Sequence, residues 1–87
     1  MSNVFIKIDN YECYIGDYYT DSNGNVKCHV VINGVYTHVE AISIATSLAK
    51  KLDSRHVELH KIRETRRVPK YGIVILDTPY YKIEEYT

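Results

Sequence analysis

"YIGDYYTDSNGNVKCHVVINGVY", residues 14–36, decides how this chain is read, because two Asn-Gly pairs interrupt runs of alternating apolar and polar residues. Asn-Gly is the strongest short signal for a tight hairpin, since both central residues of a type I′ turn need φ > 0. Centring the first turn on Asn23-Gly24 sets Tyr19 opposite Cys28, Tyr18 opposite His29, Gly16 opposite Val31 and Tyr14 opposite Asn33. The second pair, Asn33-Gly34, folds Val35 and Tyr36 back on Ile32 and Val31.

Upstream, VFIKI and YECYI flank Asp9-Asn10. A two-residue loop there pairs Ile8 with Tyr11, Lys7 with Glu12, Ile6 with Cys13 and Phe5 with Tyr14. The Lys7–Glu12 match favours this register by roughly 0.2–1 kcal/mol. Because successive side chains alternate across a strand, the predicted meander has two unlike faces. Val4, Ile6, Ile8, Cys13, Ile15, Val26, Cys28, Val30 and Ile32 form an apolar floor, while Phe5, Tyr14, Tyr18, His29, Val31 and Tyr36 point the other way.

Downstream, Thr37-His38-Val39-Glu40 is a capping box, with Thr37 and Glu40 each able to bond the other's amide. Ala41, Ile42, Ile44, Ala45, Leu48, Ala49 and Leu52 then recur at helical spacing, and Lys50 and Lys51 suit the negative end of the helix dipole. The spacing predicts a helix over about 38–52 whose stripe covers the floor. RHVELHKI alternates and predicts a strand over 56–62, with a second helix as the rival reading. RETRRVPK is expected to be a basic connection, because Pro69 argues against a central strand. YGIVILD reads as a buried strand, and YYKIEEYT as a short terminal strand or tail. The expected fold is α+β: an antiparallel meander of three to four strands, one capped helix on one face, then two further short strands, in the order βββ(β)αββ.

The stretch VVINGVYTHVEA, residues 30–41, resembles the three-strand-plus-helix DNA-binding modules of the integrase arm-binding type in its turn and cap. Such modules carry basic and aromatic base-reading positions on the sheet. Lys27 is the only base on this hairpin, so the resemblance is not extended to membership.

With 87 residues, 45% apolar and 25% charged, the chain fits one soluble domain over 1–87. A domain of this size buries only about 60–65% of its unfolded surface, which makes an enclosed catalytic cleft hard to build. No apolar run approaches the ~20 residues that span a bilayer, and MSNVFIKIDN lacks a signal peptide's apolar segment. The expectation is a cytoplasmic protein without membrane contact. Ten Ile, nine Tyr and no Trp suggest AT-rich codons, as in a low-GC bacterium or its phages.

Little in the chain carries chemistry. Cys13 and Cys28 read as two buried thiols that share a face without standing opposite one another, which leaves no geometry for a disulfide. Cys28 and His29 are sequence neighbours on opposite faces of a strand, so they cannot form a thiolate and its base. His56, Glu58 and His60 form H-x-E-x-H with no further ligand in view, short of a zinc site. The expectation is a non-enzyme with no cofactor and no metal.

Two features point to binding. The rings of Phe5, Tyr14, Tyr18, His29 and Tyr36 around Gly16 suit a protruding side chain or a base. Residues 71–86 folding across that face, or a second copy of the chain, would cover it instead. Formal net charge is zero, yet residues 50–70 hold eight of the eleven Lys and Arg against three acids. Lys61, Arg63, Arg66, Arg67 and Lys70 could contact phosphates or pair with Glu58, Glu64 and the acidic remainder. The expected function is a small non-catalytic interaction protein whose partner is most readily another protein. In a bacterial or phage-infected cell it would be an inhibitor of a host enzyme or defence complex, an anti-CRISPR-like role. The alternative is a nucleic-acid-binding module whose rings stack bases while the basic 61–70 segment tracks phosphate.

Overall fold

The protein is described by a computed structural model over residues 4–87, with Val4 described by its backbone alone. The chain runs β1 (Val4–Ile8), β2 (Tyr11–Thr20), β3 (Val26–Tyr36), α1 (His38–Lys51), β4 (His56–Thr65), β5 (Val68–Pro79) and α2 (Tyr80–Glu84). All strands join one antiparallel sheet in the order β1-β2-β3-β5-β4. The α+β class and the strand–strand–strand–helix–strand–strand order therefore hold.

The first hairpin matches its expected register from Phe5–Tyr14 to Ile8–Tyr11. Asp9 and Asn10 have φ of 50° and 71°, both left-handed as a type I′ turn requires. The second hairpin differs. Among Ser22, Asn23 and Gly24 only Gly24 is left-handed, at φ +82°. The Asp21 carbonyl accepts from the Gly24 amide at 3.0 Å, and the Asp21 amide donates to Asn25 at 2.9 Å. This is a three-residue loop, a type I turn closed by a left-handed glycine. The Asp21 carboxylate accepts from the amides of Asn25 and Asn23, both at 2.9 Å, and the Asn25 bond above all holds its pKa below the usual range.

That loop sets Thr20 opposite Val26 and Tyr19 opposite Lys27. The ladder then breaks at Asp17, left-handed at φ 52°, and resumes with Gly16 opposite His29 and Tyr14 opposite Val31. None of the four pairings expected from a turn on Asn23-Gly24 occurs. Loop length moves the register at the turn, and the bulge adds a residue to β2.

Asn33-Gly34 makes no hairpin. β3 continues to Tyr36, and the pairs Ile32–Ile73 and Tyr36–Tyr71 leave extra residues on β3 as a bulge. Gly34 sits at φ +110°, and the Tyr36 hydroxyl donates to the Asn33 carbonyl at 2.7 Å. β5 occupies the edge that a returning Val35-Tyr36 strand would need. The meander therefore has three strands, and the hairpin on which the resemblance to DNA-binding modules rested is absent.

The capping box forms as expected. The Glu40 amide donates to the Thr37 hydroxyl at 3.3 Å, and the Thr37 amide donates to the Glu40 carboxylate at 2.9 Å. A 14-residue helix is marginal alone in water, so α1 depends on burying Ala41, Ala45, Leu48 and Ala49 with Leu52 at its cap. Ile42, expected in that stripe, is 46% exposed. Lys51 bonds Asp9 at 2.8 Å, tying the helix end to the first turn.

Ile6, Ile8, Cys13, Ile15, Cys28, Val30 and Ile32 make the expected floor, and β5 completes it with Ile73 and Ile75. Val26 is 45% exposed near the turn, outside the floor it was expected to join. The Val4 side chain lies outside the described residues. YYKIEEYT contributes the short helix α2, neither strand nor tail, whose Ile83 is fully buried in the same cluster. Both helices thus pack on one side of the sheet.

β4 is a strand over His56–Thr65, which sets aside the helical rival. The expected basic connection is instead the end of a β4–β5 hairpin, turning at Arg66 and Arg67 with φ of 51° and 65°. Neither residue is suited to this conformation, which costs roughly 1–2 kcal/mol per ordinary L-residue. Pro69 lies within β5 because β3 pairs no further than Tyr71. At Pro69 the flank facing β3 has no neighbour to miss an N–H.

Thr78 is fully buried and its hydroxyl has no hydrogen-bond partner among the described residues. Removing an unsatisfied buried hydroxyl while keeping the shape relieves a penalty of about 1–3 kcal/mol. Thr78→Val should therefore stabilise the fold by about 1 kcal/mol, read as a raised urea midpoint at unchanged m-value.

Candidate functional site

Since both helices cover the floor, the opposite face of the sheet carries no second layer among the described residues. The ladders align one row across it: Phe5, Tyr14, Val31, Val74 and Glu58. Phe5 is 70% exposed, and its ring lies 5.8 Å from that of Tyr14 at a tilt of 54°. Tyr14, Val31 and Val74 are half-buried by one another. Residues 71–86 do not cross this face, because 71–79 form the sheet's interior strand and α2 packs on the other side.

On one flank Gly16 faces His29, and on the other side of His29 the β3–β5 ladder is also irregular. A left-handed aspartate marks each break, Asp17 on β2 and Asp77 on β5. The His29 ring stands 3.5 Å from the Asp17 carboxylate and 5.8 Å from the Tyr19 ring, edge to face. His56 lies 3.8 Å from Asp77, and His60 bonds Glu58 at 3.0 Å. The rim of the row thus carries Lys7, Glu12, Asp17 and Glu58, of mixed sign with more acid than base.

Two expected members of this face are elsewhere. The Asp17 bulge reverses the alternation, so Tyr18 turns to the helix side and packs 5.4 Å from Tyr80. Its phenol pKa is pushed up by burial first, then by Tyr80 and Cys28. Tyr19 takes the place expected for Tyr18. The Asn33-Gly34 bulge likewise leaves Tyr36 on the helix side, ring to ring with Tyr11 at 6.5 Å and packed against the core. The face keeps Phe5, Tyr14 and His29 and gains Tyr19, Val74 and Leu76. Gly16-Asp17, a turn-prone pair inside a strand, was the one signal of the bulge available in sequence.

The basic residues are brought together. Beyond Tyr71, β5 pairs with β4 alone, and residues 60–68 are all exposed. Lys61, Arg63, Arg66, Arg67 and Lys70 therefore lie on a two-stranded arm. Lys61 pairs with Glu64 at 3.1 Å, and among the described residues no other arm cation forms an ion pair. The molecule is correspondingly long, 45 × 23 × 23 Å.

A recess of about 640 Å³ lies at the opposite end and is lined by Lys27, Arg55 and His56 together with Asp53, Asp77 and Glu84. Among the described residues no three His, Cys, Asp or Glu side chains gather as a metal site, and no helix is long and apolar enough to cross a membrane. Comparison with protein-family models, with curated proteins and with solved structures gave no match.

Cys13 and Cys28 are both free and fully buried on the floor, remote from the open face. Burial pushes each thiol from an ordinary 9.0 up to about 11. Folded-state values above the unfolded ones mean full stability below pH 9 and progressive loss as pH rises towards 11. The Cys13→Ala/Cys28→Ala double variant should show a flatter loss of stability over that window. In the wild-type protein at neutral pH, a thiol-reactive disulfide reagent should label both cysteines only after denaturant is added.

Proposed function

We propose that this protein is a non-catalytic interaction module that binds another protein through the open face of its sheet. One observation carries the reading: an apolar row of Phe5, Tyr14, Val31 and Val74 is left without a layer among the described residues, although the same sheet buries the isoleucines, Val30 and the cysteines of its other side under the two helices. Contiguous exposed apolar surface on a small domain favours contact. An apolar centre inside a mixed-sign polar rim is the composition of a protein–protein interface. Base stacking fits this face less well, because Glu12, Asp17 and Glu58 outnumber Lys7 at the rim and repel phosphate. Tyr14 and Phe5 are the aromatic anchors, while His29 and Tyr19 form the polar flank.

The finer form of this reading is an inhibitor that covers a working surface of a larger enzyme or defence complex in a bacterial or phage-infected cell, anti-CRISPR-like in manner. What supports it is the open apolar face together with residue usage that fits AT-rich codons.

The immobilised protein should retain a partner from host lysate, identified by mass spectrometry, and Phe5→Ala with Tyr14→Ala should abolish that retention. Phe5→Ala changes stability by no more than about 0.5 kcal/mol, as expected at an exposed site. Tyr18→Ala, off the face, should retain the partner. Undiminished capture by the Phe5→Ala/Tyr14→Ala variant would refute the site. A doubled solution mass lost in that variant would instead identify a second copy of the chain as the occupant.

A further inference from the structure

The arm formed by the ends of β4 and β5 is a separate feature, and its argument does not rest on the reading of the sheet face. Residues 61–70 hold five cations and one acid, a local +4, against −4 for the rest of the chain. From the last pair with β3, at Tyr71, the arm reaches past the sheet by roughly 13 Å to its turn, at about 3.3 Å per residue. It ends in Arg66-Arg67, both left-handed, where Asn-Gly would serve at no strain. The same chain uses Asp-Asn and a glycine at its other two turns. Strain held in an exposed turn with no packing to enforce it marks a place where side-chain identity outweighs conformational ease.

We propose that this arm enters the major groove of double-stranded DNA, with Arg66 and Arg67 leading and Arg63 and Lys70 against the flanking phosphates. The major groove is about 12 Å wide and 8.5 Å deep and admits a two-stranded β-ribbon, so the arm is both slim and long enough to reach the groove floor. A-form RNA has a major groove too narrow for it. Lys61 is occupied by Glu64, and the Glu40 carboxyl is held below its usual range first by its hydrogen bonds from Thr37 and only then by the charge of Lys70. The negative remainder of the protein turns away from the duplex, which fixes a tip-first approach.

The test uses the full chain and a fluorescent DNA duplex of about 20 base pairs, followed by anisotropy. Arg63 and Lys70 on two phosphates give a slope of log K against log salt near −1.8, so affinity should fall on the order of 10-fold between about 50 and 200 mM salt. The Arg66→Asn/Arg67→Gly variant removes both guanidinium groups while supplying the preferred turn pair. It should melt higher than the wild type, bind the duplex at least about 10-fold more weakly, and keep a similar salt slope, because Arg63 and Lys70 still hold the phosphates. Phe5→Ala/Tyr14→Ala should bind the duplex as the wild type does, which separates this site from the sheet face. Equal binding of the wild type to an RNA duplex or to polyglutamate would overturn the proposal in favour of a general polyanion or acidic-protein contact. Unchanged duplex affinity in the Arg66→Asn/Arg67→Gly variant, or a lower melting temperature in it, would overturn it as well.

Discussion

A strand can offer only every second residue to a core, and in this protein one core, under both helices, takes most of what the sheet offers on that side. Every other feature answers to that constraint. The floor is almost wholly Ile, Val and Cys because each position must fill space beneath α1 without a polar atom to satisfy. Where an extra residue enters a strand, the choice of face reverses beyond it. Asp17 does this on β2 and Asp77 on β5, at the level of His29 on the strand between them. Aspartate tolerates the left-handed region better than most residues, so the reversals sit at residues able to accept them.

Much of this was legible in the residues. The first hairpin, the capping box and the seven floor positions from Ile6 to Ile32 follow from local rules: two positive-φ turn residues, a Thr-x-x-Glu cap and a period of two. The errors arise where a local signal had more than one outcome. Asn23-Gly24 supports either a two-residue I′ loop or a three-residue loop in which only the glycine is left-handed, and the two differ in register. Asn33-Gly34 supports a hairpin or a bulge. A strand some forty residues later decided between them, because β5 took the edge of β3. Tyr18 and Tyr36 were assigned to the wrong face for these two reasons, while Phe5, Tyr14 and His29 lie on strand segments no ambiguity reaches. The arm was concealed by Pro69, which is forbidden only where a strand has neighbours on both flanks.

Charge follows the same division of labour. The sheet face is apolar and slightly acidic at its rim, and the cations concentrate where the sheet narrows to two strands. β4 is an outer strand, and such strands invite pairing with other chains. Its Lys61 and Arg63, and the irregularity at Ile62 that lays this side chain over Gly72, blunt that tendency. One set of residues therefore equips the arm for an anionic partner and keeps the edge from joining another sheet.

The position of β5 has a consequence for how the molecule assembles. The last strand made is an interior one, so β3 and β4 have no mutual contact until it slots between them, and Ile73, Ile75 and Ile83 reach the core last. During synthesis the first three strands and α1 can associate, but their floor stays open to water until β5 and α2 have emerged. Such non-local closure is slow, typically milliseconds to seconds for sheets of high contact order. A nascent chain therefore holds the floor isoleucines of its first strands uncovered until β5 emerges, and the native yield depends on that step as well as on final stability.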